Sequence, residues 1–205
     1  MRRRKTDSVF NRLFSHYAKY NRLAAGRLAE GKTVLDCFTH TGAFALNCAA
    51  AGAKHVCAVD ISKDAIELTR KNARLNNLDN VSFECANVFE MLTSLYESKT
   101  SVYDYIILDP PAFTKSSSCV HNAERGYKEI NMKAMKLLPR GGYLATCSCS
   151  HFMTDELFKK MLRFAAADAG VSLRQIEARQ QSPDHPILWS VPETDYLKFY
   201  IFQVV

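Results

Sequence analysis

From Thr33 onward the sequence alternates between short apolar runs of strand character and longer helical stretches, an order that few folds can satisfy. The strand-like runs are Thr33 to Cys37, His55 to Val59 (ending at Asp60), Val81 to Cys85, Tyr103 to Leu108, Tyr143 to Thr146 and Val171 to Ile176. Helical patterns fill the gaps. One runs from about Ala43 to Ala51. A second opens at Ser62, a good N-cap, and continues through Asp64, Ile66, Leu68 and Ala73. A third is rich in Phe89, Met91, Leu92 and Leu95, and a fourth runs from about Glu124 to Leu138. A fifth starts at Thr154, carries Asp155 and Glu156 in its first turn and stops at Gly170. Strands separated by helices pair in parallel and need helices on both faces. The last strand, Tyr196 to Val205, follows a loop holding Pro183, Pro186 and Pro192 with no helix, so it is predicted to run antiparallel. The expected fold is an α/β, seven-stranded, mostly parallel sheet with an antiparallel last strand and helices on both faces.

At 205 residues the chain fits one domain, with no internal repeat. Residues 1–32 form a basic lead-in, and residues 8 to 30 are predicted to be amphipathic helix closed by Gly31. No apolar run is long enough to span a membrane. The start, Met1-Arg2-Arg3-Arg4-Lys5, has no apolar signal core after it, so a cytoplasmic protein without membrane contact is expected. Net charge is only +6, but the lead-in gathers Arg2, Arg3, Arg4, Lys5, Arg12, Lys19, Arg22, Arg27 and Lys32 against Asp7 and Glu30. Such an arm suits contacts to a phosphate backbone and equally suits a solvated leader. Seven cysteines without a CxxC pair argue against structural zinc, and no metal is expected. Most of them fall inside apolar patterns, where a reduced Cys is a small core residue.

The ends of the strands carry the chemistry, because ligands in open α/β sheets sit outside the strand C-termini. The first strand runs into Asp36-Cys37-Phe38-Thr39-His40-Thr41-Gly42. A dinucleotide site would show GxGxxG, but the glycines here stand at 42 and 52. A cofactor with an amino-acid tail, held by backbone groups and an acid such as Asp36, suits the turn better than a pyrophosphate. Asp60 ends the second strand, where an acid can accept from ribose hydroxyls or cap the next helix. Asn87 is placed to meet an adenine amino group, or to serve as a turn residue.

Strand four ends in Asp109-Pro110-Pro111-Ala112-Phe113 and strand five in Cys147-Ser148-Cys149-Ser150. An acid and a thiol on two such ends point to attack on an electrophilic ring. A pyrimidine C5 is a poor nucleophile until a thiolate adds at C6, so the scheme needs a nucleophile, a group holding the ring, and a methyl donor. Cys149 suits the first role and Asp109 the second, with the Pro110-Pro111 turn fixing carbonyls beside the base. The target base must be unstacked. Both cysteines face the same side of a strand. Cys147, nearer the apolar run, is expected to be structural, and Cys149, where the strand opens into a loop, to be reactive.

These words together resemble the catalytic domain of the bacterial 23S ribosomal RNA 5-methylcytosine methyltransferases whose full-length members begin with a PUA domain. The shared words are Asp36-Cys37-Phe38-x-x-Thr41-Gly42, Asp109-Pro110-Pro111-x-Phe113, Arg125-Gly126-Tyr127-Lys128-x-Ile130-Asn131, Ser148-Cys149-Ser150, Asp184-His185-Pro186 and Tyr196-Leu197-Lys198. The resemblance implies a class I, Rossmann-like methyltransferase domain over residues 33–205, with S-adenosylmethionine as cofactor and RNA, ribosomal or in a ribosomal subunit, as partner. It implies Cys149 as nucleophile and Asp109 as its partner. The expected cofactor contacts are Asp36, Cys37, Phe38, Thr41, Gly42, Asp60, Ile61, Asn87, Val88, Asp109 and Pro110. The expected substrate contacts are Pro111, Phe113, Arg125, Tyr127 and Lys128. A homodimer is compatible with it.

Departures from the family pattern are also visible. Members begin with PUA and linking domains that this sequence does not contain, which predicts weak RNA docking or docking supplied by another chain. They tend to carry an acid where Asn87 stands, and the lead-in keeps only Asn21-Arg22 of its usual motif. Arg125, Tyr127 and Lys128 can meet RNA phosphates or form the solvated face of a helix. His185 can order a loop or simply turn it, and Trp189 is expected to pack into the core or a loop. Two other functions remain open at this level: methylation of another base position such as a guanine nitrogen, which needs no thiol, and a non-catalytic cofactor- or RNA-binding remnant.

Overall fold

A computed structural model describes residues 19–99, 102–113, 120–183 and 185–205. The predicted lead-in helix therefore lies partly outside the described residues, and its visible part is α1, Lys19–Arg27. Asp184 also falls outside them.

Along the chain follow β1 (Thr33–Cys37), α2 (Ala43–Ala50), β2 (His55–Asp60), α3 (Lys63–Leu75), β3 (Val81–Cys85), α4 (Val88–Glu97) and β4 (Tyr105–Leu108). The second half holds α5 (Val120–Leu137), β5 (Tyr143–Ser148), α6 (Asp155–Ala169), β6 (Leu173–Arg179) and β7 (Lys198–Val204). The seven strands form one sheet in the order β3-β2-β1-β4-β5-β7-β6. Pairings are parallel from β3 through β5, while β7 runs antiparallel to both β5 and β6. The antiparallel last strand is as the sequence predicts, and it lies between β5 and the edge strand β6.

The strands' period of two sends alternate side chains into two cores. Leu35, Cys37, Val59, Ile106 and Leu108 meet Leu92 of α4, Ile130 of α5 and Phe158 of α6 on one face. Val34, Val56, Ala58 and Ile107 meet Ala24 of α1, Phe44 and Leu46 of α2 and Ala73 of α3 on the other. Phe44 stacks on Phe199 of β7 with ring centres 5.9 Å apart. Among the described residues no helix is long and apolar enough to cross a membrane.

The caps act where the sequence places them. Ser62 and Thr154 accept from the backbone N–H three residues on, and Gly170 closes α6 in the left-handed region. Boundaries shift where tertiary pairing decides. Strand β5 extends to Ser148, beyond Thr146, because β7 lies beside it and Ser148 registers with Lys198. Strand β6 starts and ends about two to three residues later than its apolar pattern, following its ladder with β7. Helix α5 starts at Val120 rather than Glu124, and β4 at Tyr105 rather than Tyr103.

Candidate active site

The chain winds from β1 out to β3 in one direction and from β4 outward in the other, so the order reverses between β1 and β4. Crevices at such a reversal are the ligand sites of open α/β sheets. Asp36 and Asp109 stand on its two sides, and β2 and β5 flank them.

Asp36 is 1% exposed. Its Oδ2 accepts from the Thr39 hydroxyl at 2.6 Å and from the Ala45 N–H at 2.9 Å, while its Oδ1 is buried without a partner. Burial raises this carboxyl to about 7; those two hydrogen bonds pull the other way, and the charges of Asp109 and Asp60 add to the rise. A buried carboxyl of this kind is costly to ionise, and a cation brought to it would favour the carboxylate.

The loop after Asp36 is held in an unusual backbone path. Phe38 and His40 have φ of 63° and 51°, and Gly42 has 85°. Non-glycine residues take such angles only when their surroundings impose them, commonly at functional sites. Helix α3 supplies the restraint: the Thr69 hydroxyl donates to the His40 carbonyl at 2.9 Å, and Asn72 Nδ2 to the Thr41 carbonyl at 3.1 Å. At Gly42 the close approach is to Thr69, whose Cγ2 would lie 2.6 Å from an added Cβ. The glycine thus serves helix packing as well as its own φ. Cys37 is fully buried in the core.

Asp60 accepts from the His40 N–H and the Ser62 N–H, both at 2.9 Å, so it joins the β1 loop to the start of α3. Each oxygen keeps a further lone pair. Ile61 beside it is 71% exposed. Asn87 has a local partner: its Oδ1 caps α4 by accepting from the Phe89 N–H at 3.0 Å, and its Nδ2 donates to Glu90. Val88 puts its side chain into the core.

On the other side, Asp109 is raised to about 6 by burial, while a hydrogen bond from Cys147 and the positive charges of Arg22 and His40 pull it back. Pro110 is buried and Pro111 exposed. Cys149 Sγ lies 3.9 Å from the Pro110 carbonyl, which brings the thiol of β5 against the acidic turn of β4. The two cysteines, inseparable by strand alternation, are separated by depth. Cys147 is 2% exposed and its thiol is held well above the ordinary range, whereas Cys149 is partly open. Burial raises Cys149 too, as does Asp109, and Lys198 opposes the rise.

The expected substrate residues divide. Phe113 joins an aromatic cluster with Phe38 at 6.4 Å, Phe89 at 5.7 Å and Tyr127 at 4.6 Å. Gly126 admits it, since a Cβ there would stand 3.3 Å from the Phe113 ring. Tyr127 corrects the sequence expectation: it is fully buried, and its hydroxyl accepts from Ser148 Oγ at 3.2 Å, so it buttresses the Cys149 turn instead of facing RNA phosphates. Lys128 stays partly exposed on the helix surface, in an ion pair with Asp168 of α6 at 2.7 Å. Arg125 stays exposed. Trp189 overturns its expected packing, being 99% exposed in a turn closed by the Leu188–Val191 bridge. It lines a cleft of about 890 Å³ together with His151, Arg179 and Lys198.

Residues 28–189 match the family model described as a methyltransferase domain. The chain belongs to that family. This methyltransferase domain is 42% identical over 187 residues to Ribosomal RNA large subunit methyltransferase I of Shigella dysenteriae, an alignment covering 90% of this chain and 47% of the relative. The chain spans about half the length of the curated relatives it matches. Among solved structures, SMU.776 complexed with SAH superposes with a TM-score of 0.82 at 24% identity, over 93% of this chain and 50% of that one. Trm5b from Pyrococcus abyssi gives a TM-score of 0.65 at 21% identity, over 93% and 50%. Both likenesses are of fold.

Two residues of the methyltransferase domain enter the site without a role assigned from sequence. Arg22 of α1 is 5% exposed and its charge acts on Asp109, while Asn21 beside it donates to the Gln180 carbonyl at 3.2 Å. Lys198 of β7 is 6% exposed and acts on Cys149. The signals were Asn21-Arg22 in the lead-in and a lysine opening a mostly apolar strand.

Proposed function

We propose that this chain is the catalytic part of an S-adenosylmethionine-dependent methyltransferase that modifies C5 of a cytosine in large-subunit ribosomal RNA through a Cys149 adduct. The observation that carries the reading is the meeting, at one reversal of strand order, of a buried acid with an unspent oxygen and a partly open thiol set against an acid–proline turn. The 42% identity to a ribosomal RNA large subunit methyltransferase supports the substrate class.

The residues suit the cofactor. Asp36 Oδ1 is free to accept from the ammonium of an amino-acid tail, and binding that charge would favour the carboxylate over its protonated form. Asp60 has lone pairs for ribose hydroxyls, and exposed Ile61 offers an apolar surface for a base. S-adenosylmethionine, when bound, supplies an electrophilic methyl group.

The chain's own residues do the rest. The Cys149 thiolate adds to C6 of the unstacked ring and makes C5 nucleophilic. Asp109, raised to about 6, exchanges readily between acid and carboxylate near neutral pH, so as the acid it can donate to the ring N3 and as the carboxylate accept from the N3–H that forms as the thiolate adds. Tyr127 and Ser148 brace the turn that presents the thiol. Loss of the C5 proton then releases the thiol.

The test is methyl incorporation into large-subunit RNA from labelled cofactor, with the product nucleoside identified by chromatography and mass spectrometry. The reading expects 5-methylcytidine from the wild type and none from Cys149→Ala. Label at a guanine nitrogen, retained in Cys149→Ala, would place the domain among thiol-independent base methyltransferases.

A further inference from the structure

Trp189 is the chain's single tryptophan, and it is 99% exposed. Tryptophan side chains are on average highly buried, because so large an apolar ring is costly to leave in water. Here the backbone holds the ring outward. The Leu188–Val191 bridge closes the turn, with the Val191 N–H donating to the Leu188 carbonyl at 2.8 Å. The Thr194 hydroxyl accepts from the Leu188 N–H at 2.8 Å and donates to the Val191 carbonyl at 2.7 Å. Gln181, just after β6, ties the turn to the chain leading into β7. Its Nε2 donates to the Thr194 carbonyl, and its Oε1 accepts from the Leu197 N–H.

Trp189 lines the cleft of about 890 Å³, a size within the range of small-ligand sites. The cleft reaches the segment that carries the nucleophile. His151, two residues after Cys149, lines it, and so does Lys198, whose Nζ donates to the Ser150 carbonyl at 2.6 Å. Arg179 lines it with its Nε held by Glu177 at 2.8 Å. Asp155 and Asp195 line it as well, the former engaged by Lys159 at 2.6 Å. The lining is mixed in charge, and its distinguishing group is an uncovered π face. Every nucleobase offers a matching face, whatever its identity. So charged a lining disfavours a protein occupant, because the cores of protein interfaces are depleted of charged residues.

A base attacked by the Cys149 thiol must leave its stack, which strips its neighbours of a stacking partner. We propose that Trp189 is a stacking platform for the base of a nucleotide beside the target cytosine in single-stranded RNA. The target enters between Asp109 and Cys149, and the neighbouring base lies on the indole at the adjoining cleft. This rests on the RNA reading above and deepens it. The turn also exposes Leu188 and Val191, so a second copy of this chain is the competing occupant.

Because Trp189 is the only tryptophan, the emission of the protein reports on this one ring. The full chain is titrated at low salt, without cofactor, with a short single-stranded RNA carrying one cytosine among uridines. Stacking should quench the emission. The same RNA in which only the cytosine keeps its base, the other sugars being abasic, should bind more weakly and leave the emission near its free value. Affinity is read independently from the anisotropy of an end-labelled RNA. Trp189→Ala uncovers no core, so it should fold as the wild type does and bind about five- to a hundredfold more weakly. Trp189→Phe keeps a ring and should recover most of the affinity, whereas Trp189→Leu keeps only apolar bulk and should not.

RNA that does not bind, that binds without quenching, or that quenches equally when stripped of its other bases overturns the proposal. Unchanged affinity in Trp189→Ala does the same. Emission that shifts with protein concentration alone, together with a sedimenting dimer that Trp189→Ala disperses, makes the turn a contact between copies of this chain and also overturns it. Quenching and weakened binding with no 5-methylcytidine formed in large-subunit RNA remove the proposed function and leave the platform standing. Formation of 5-methylcytidine without quenching, and with equal affinities, does the reverse.

Discussion

Replacing Asp36 by asparagine should make the cofactor-free protein less sensitive to alkaline pH while abolishing its capacity to hold the cofactor's tail. The folded carboxyl is raised from 3.8 to about 7. A group raised in this way adds stability below its unfolded value and loses it as pH climbs through the folded one. About three units correspond to ~4 kcal/mol in all, of which about 2 to 3 kcal/mol falls between pH 5 and pH 8. Asparagine keeps an oxygen for Thr39 and Ala45 and has no charge to desolvate. Its Nδ2 takes the unpartnered place of Oδ1, a pH-independent cost of about 1–3 kcal/mol. The assay is urea denaturation of both proteins at pH 5 and pH 8. The wild type should lose roughly 2 kcal/mol more than Asp36→Asn between the two, the residual slope coming from Asp109. Equal losses would refute the buried-acid reasoning. Calorimetric titration with S-adenosylmethionine should show binding to the wild type and none to the variant.

Gly42→Ala should cost about 2–5 kcal/mol, combining its left-handed φ with the overlap on Thr69 Cγ2. Thr69→Ser removes that methyl and keeps the hydroxyl, so a double-mutant cycle by urea denaturation should show coupling of at least about 1 kcal/mol, and strict additivity would contradict the geometry. Asn87→Ala should cost about 1 kcal/mol through its lost cap, whereas Asn87→Asp keeps the cap acceptor, loses only the exposed donor to Glu90 and should cost less; thermal melts compare them. Trp189→Ala should leave stability within about 0.5 kcal/mol, since nothing covers the side chain; a larger loss in the same melts would show that it packs.

Local signals made most of the fold legible. The strands β1 and β3 and the caps Ser62, Thr154 and Gly170 depend on nearest-neighbour chemistry, and they stand where the sequence puts them. The end of β5 depends on a partner fifty residues away and lies two residues beyond the apolar run. At the site, the motif words locate Asp36, Asp109 and Cys149, but depth is not a local property. Tyr127 reads as the face of an exposed helix until Phe113 and Ser148 are seen around it. Trp189 reads as packing until the Thr194 hydroxyl, which accepts from the Leu188 N–H at 2.8 Å, is seen bracing the turn that carries it outward. Lys198 and Arg22 stand in motif words, but their place at the site depends on partners from distant segments.

The central claim is that Cys149 attacks the base. Incubating the protein with S-adenosylmethionine and large-subunit RNA containing 5-fluorocytosine, which blocks release, tests it most directly. Mass spectrometry should find a covalent RNA adduct on the peptide spanning both cysteines, and fragmentation should place it on Cys149 and not on Cys147. Methyl transfer to the natural RNA without any adduct on the fluorinated one, or an adduct mapped to another residue, would contradict the account.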